Sequence, residues 1–122
     1  MNLQVLPQAF TVCQVSDVST VDFTREFVFL SKTDEELSLV CETALVPANA
    51  AARADGWRGF RVCGVLDFSL VGILANISSL LAGQGISIFA VSTYNTDYLF
   101  TKAEVFDRAL ETLAHAGYAI LE

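Results

Sequence analysis

Apolar residues in this chain fall into short strand-like runs and two longer stretches with helical spacing. Leu70, Ile73, Leu74, Ile77, Leu80 and Leu81 recur at i, i+3, i+4 and i+7, which predicts an amphipathic helix over 70–81. Asp67 and Ser69 stand where capping residues belong, and Gly83 and Gly85 mark the exit. Val105, Phe106, Ala109, Leu110 and Leu113 predict a second helix over 103–115, opened by Thr101 and Glu104 as a capping box and closed by Gly117. Strands are expected at 61–66, 86–92, 98–101 and 118–121. The order strand, helix, strand, strand, helix, strand is that of a ferredoxin-like βαββαβ unit.

The first half repeats part of this skeleton. "FTVCQV" at Phe10 matches "FRVCGV" at Phe60 in four of six positions, an offset of 50. "SKTDEELSL" from Ser31 aligns with "STYNTDYLF" from Ser92 at an offset of 61, so the first half is 11 residues short. The deficit falls where the second half carries its first helix, and the short connection 16–25 takes its place. Strands are expected at 3–6, 10–14, 26–30 and 37–42, followed by an Ala-rich segment over 48–54. Pro47 and "ADGWRG" mark the boundary, giving units 1–57 and 58–122. The fold class is therefore α+β, two fused ferredoxin-like units of which the first lacks one helix.

The segment "GVLDFSLVGILANISSLLAGQGISIFAVSTYNTDYLF", 64–100, resembles the ACT domains, small-molecule sensing modules of amino-acid metabolism. Gly72, Leu81, Gly85 and Ile86 keep the spacing of the aspartate kinase type, although the stretch from Asp67 to Gly72 is longer. "STYNTDYLF" and "EFVFLSKTDEELSLVCE" are similar to the CASTOR-like tandem ACT proteins, here in a small bacterial-type form. The resemblance implies two ACT-like units, a homodimer, and an amino acid as ligand. It points to the helix start Asp67, Phe68, Ser69, Leu70, Val71 and Gly72 as the binding segment, with Ser92, Thr93 and Asp97 closing it. Chemistry agrees with this, because free amides at a helix start attract a carboxylate and Asp67 suits an ammonium group. Asp67 as a plain cap is the rival reading. Asn95 and Thr96 are expected only to turn the chain.

Composition narrows the alternatives. The hydrophobic fraction of 53% supports a packed core, and no apolar run has the length of a membrane span. A net charge of −7 disfavours nucleic acid and anionic membrane surfaces as partners. No secretory signal is seen at the first residues, so a cytoplasmic protein is expected. Cys13, Cys41 and Cys63 have no metal or redox spacing, and no phosphate loop occurs, so neither metal nor cofactor is expected. Two rival functions stand beside a non-catalytic sensor: a ligand-free protein interaction module, and a cysteine-dependent enzyme built on Cys63 and His115. The apolar surroundings of Cys63 favour a structural thiol, and no catalytic residues are expected.

Overall fold

The computed structural model describes residues 1–64 and 72–122. Seven strands, β1 (Asn2–Val15), β2 (Phe29–Lys32), β3 (Leu37–Glu42), β4 (Ala50–Val62), β5 (Ile88–Ser92), β6 (Asp97–Lys102) and β7 (Ala119–Leu121), accompany two helices, α1 (Ile73–Ala82) and α2 (Ala103–His115). This is the α+β class expected. The chain divides into two compact units, one of Met1–Pro7 with Arg58–Glu122 and the other of Gln8–Trp57.

In the first unit the strand order is β7-β1-β4-β6-β5. The N-terminal part of β1 enters between β4 and β7 and runs parallel to β7, with Asn2, Leu3 and Gln4 opposite Ala119, Ile120 and Leu121. β5 and β6 form an antiparallel hairpin from Ile88↔Thr101 to Ser92↔Asp97. One face of this sheet packs on both helices. Leu3, Phe60, Val62 and Leu99 from the strands meet Ile77, Leu81, Phe106, Ala109 and Leu113 from the helices, all buried. Each of these side chains larger than Ala109 is worth about 1.5–3 kcal/mol when removed from water.

The helices follow their sequence pattern, with differences at their starts. Both end on a glycine in the left-handed region, where Gly85 has φ 70° and Gly117 φ 104°. Behind them the Ile86 and Tyr118 amides return to the Leu81 and Leu113 carbonyls at 3.0 and 3.1 Å, which satisfies acceptors that a helix end leaves open. The capping box expected at Thr101 does not form. Lys102 takes the cap position, and the buried Thr101 hydroxyl donates instead to the Lys102 carbonyl at 3.0 Å. Thr101 still belongs to β6, one residue too early to reach the helix amides.

The second unit has the order β2-β3-β1-β4. Its core is Cys13, Val15, Leu39 and Cys41, covered by Val21, Val28, Leu45 and Val46. No helix occurs between β1 and β2, as the length deficit requires. Two turns replace it: Asp17 accepts from the Ser19 amide and hydroxyl, and Asp22 does the same for Thr24. The only helical element is a 3₁₀ turn, Thr43–Leu45.

The Ala-rich segment enters β4 at Ala50. The strands expected separately at 3–6 and 10–14 are one, with Pro7 between the residues that pair β7 and those that pair β3. A missing N–H is tolerated there. The hairpin turns also correct the repeat. The Thr33 amide donates to the Glu36 carbonyl and the Thr93 amide to the Thr96 carbonyl, both at 2.9 Å. The hairpins therefore align at an offset of 60, one less than the identity match at Ser31 and Ser92 gave.

Candidate functional site

The site expected from the sequence centres on the connection between β4 and α1. Asp67, Phe68, Ser69, Leu70 and Val71 lie outside the described residues. Gly72 is the N-cap of α1, left-handed at φ 88°, with its carbonyl accepting from the Asn76 amide at 2.7 Å.

The β5–β6 hairpin brings the remaining three together. The Ser92 hydroxyl donates to Asp97 Oδ1 at 2.6 Å, across the last pair of the ladder. Thr93 binds the Thr96 carbonyl through both its amide and its hydroxyl at 2.9 Å, and its Oγ1 accepts from the Thr96 amide at 3.3 Å. Thr96 does more than turn the chain. Its buried hydroxyl donates to the Val62 carbonyl at 2.7 Å. This bond pins the hairpin to the end of β4, two residues before the chain leaves the described part of the site. Nothing in "YNTDY" signals it, because the acceptor is a backbone group 34 residues away.

Strand alternation sorts the side chains. Leu99 belongs to the helix-side core, so Asp97 and its partner Ser92 point to the helix side. Arg61 lies between the core residues Phe60 and Val62 and points the other way, as does Tyr98. On that face Gln4, Arg61, Cys63, Asn95, Thr96 and Tyr98 line a cleft of about 280 Å³ among the described residues. Sequence reading missed Arg61. Its signal was a single charge in the otherwise uncharged run "FRVCGV".

The cysteine reading finds no geometric support. His115 is exposed at the end of α2 and faces Glu111 at 3.8 Å. Cys63 is half-buried in the cleft, its amide bonded to the Asn2 carbonyl. Cys13 and Cys41 are buried in the second unit. Desolvation pushes both thiols up, Cys41 to about 11, which suppresses the nucleophilic thiolate. Among the described residues no group of three His, Cys, Asp or Glu side chains is placed to hold a metal ion, and no helix is long and apolar enough to cross a membrane.

Comparison with known proteins identifies the fold. No curated protein matches the chain. The crystal structure of protein Atu0741 from Agobacterium tumefaciens is similar at 30% identity and TM-score 0.87, over 98% of this chain and 91% of that one. The regulatory subunit of aspartate kinase from Thermus thermophilus shares the fold at 10% identity and TM-score 0.64, over 96% and 97% of the two chains. Aspartate kinase from Clostridium acetobutylicum does so at 15% and 0.64, this chain spanning 33% of its length. A family model described as the ACT domain matches residues 52–115, just over half of the sequence, and with these neighbours it shows that the chain belongs to the ACT domain family.

Proposed function

We propose that this protein is a non-catalytic regulatory module that senses a small molecule, and that the molecule is an amino acid. Its binding segment is Asp67–Gly72, with Ser92, Thr93 and Asp97 as outer contacts. The observation that carries the reading is the pinned hairpin. Thr96 fixes the turn to the Val62 carbonyl, which holds the Ser92–Asp97 pair beside the strand end from which the Asp67–Gly72 connection departs. In this reading the carboxylate of the ligand takes amides at the start of α1, and Asp67 or Asp97 takes its ammonium group. Membership of the ACT family supports the regulatory role, and the CASTOR-like pattern of the sequence supports a small-molecule sensor.

The module acts as a homodimer in this proposal. β5 is an edge strand of its unit, and an apolar edge invites pairing with a second copy. Light scattering at micromolar concentration is expected to give twice the chain mass, and a monomer refutes the dimer.

A thermal-shift screen of the common amino acids tests the function. A ligand present at 100 times its Kd adds about 2.7 kcal/mol of stability, a shift of several degrees. Asp67→Asn keeps the size of the side chain but removes the charge-assisted bond proposed to the ligand, so affinity falls roughly tenfold or more with unchanged stability. If no amino acid shifts the melt, the ligand-free interaction module becomes the better reading.

A further inference from the structure

The cleft on the helix-free face of the first unit is separate from the Ser92–Asp97 pair, because strand alternation puts them on opposite sides of the sheet. Arg61 is half-buried there, and among the described residues its guanidinium has no hydrogen bond or ion pair. Among the described residues Arg61 is the only charged side chain lining the cleft. The Asn95 amide beside it is likewise uncommitted among the described residues, whereas Thr96 and Gln4 are held by backbone carbonyls of Val62, Val5 and Leu121. The wall is therefore fixed and the two donors are open.

We propose that this cleft is a binding site for a small monoanionic organic carboxylate. Arg61 presents the planar fork that matches a carboxylate in bidentate geometry, and Asn95 adds an amide donor. The ring of Tyr98 and the Val62 backbone offer a surface for the organic body of the ligand. Among the described residues no acidic side chain lines the cleft, so the groups placed there suit a carboxylate rather than an ammonium group. The net charge of −7 repels multivalent anions more strongly than a single carboxylate, which disfavours phosphate. This site stands independently of the amino-acid reading.

The test is an NMR titration of the ¹⁵N-labelled full chain with sodium benzoate, sodium phosphate or sodium chloride at matched ionic strength. Benzoate has no ammonium group, so failure of the amino-acid reading leaves the experiment intact. The expected result is a saturating shift of the Arg61 Nε and Asn95 side-chain signals with benzoate alone. Arg61→Lys, which keeps the charge but loses the fork, weakens binding roughly tenfold, and Arg61→Gln removes saturation. Benzoate shifts equal to those of chloride overturn the proposal. So does phosphate binding as tightly as benzoate, or affinity that survives in both variants. Should Arg61→Gln fail to fold, the wild-type signals and Arg61→Lys still decide.

Discussion

Thr96 shows how much a single hydroxyl can position. It is 6% exposed, and its bond to the Val62 carbonyl ties the β5–β6 turn to the end of β4. Replacing it by Val leaves that carbonyl without its partner and is expected to cost about 1–3 kcal/mol, read as a lower urea midpoint with an unchanged slope. If the proposed site depends on the pinned hairpin, the same variant also loses ligand-induced stabilisation.

A second residue-scale expectation concerns Cys41, which is 2% exposed. Desolvation raises its thiol from 9.0 to about 11, so the folded state keeps a proton that the unfolded chain loses. Stability from this group is complete below pH 9 and is lost as pH rises toward 11, by about 3 kcal/mol at most. Unfolding curves measured between these pH values are expected to show that slope and to lose most of it in Cys41→Ala. At Gly59 the sequence shows only a turn-like residue. A Cβ there would lie 2.7 Å from the ring of Phe100, a contact invisible without the fold, so Gly59→Ala forces that ring to move.

At the scale of elements, legibility follows the source of the order. α1 and α2 are written in a 3.6-residue period and in the glycines behind them, and both occur where that pattern puts them. Gly85→Ala is expected to cost about 1 kcal/mol or more, because a Cβ penalises φ 70°. β4 is the opposite case. Its first residues, "AAARADGW", have little intrinsic preference for a strand, and its pairing with β1 and β6 overrides that composition. The candidate site divides in the same way. Ser92, Thr93 and Asp97 were singled out by the resemblance to ACT domains, whereas Arg61 was not, since only the pairing of distant strands creates its cleft. The connection between β1 and β2 offers a local check. The bonds from Ser19 and Thr24 lower the carboxyls of Asp17 and Asp22 below the usual 3.8. What those turns contribute is present above that pH and fades as pH falls through the lowered values. Carbon-detected NMR titration is expected to find both carboxylates titrating late.

On the scale of the whole molecule, the repeat in the sequence hides an exchange that the structure reveals. The offset between halves reads as two consecutive units, yet Met1–Pro7 packs with Arg58–Glu122. Leu3 is completely buried in the core shared with both helices, and β1 separates β4 from β7. A chain of residues 58–122 alone leaves β7 without its partner and the core without Leu3 and Val5. It is expected to show poor NMR dispersion and no cooperative melt, and a linked copy of residues 1–7 is expected to restore both. The same strand governs timing during synthesis. Gln4 and Leu121 are 117 positions apart, so β1 must await the whole intervening chain before it can close with β7. Such distant pairing makes folding slow and leaves apolar residues exposed on the growing chain. A nascent chain that has not yet reached Ala119 therefore displays an incomplete ACT unit, whose first strand has no β7 to pair with.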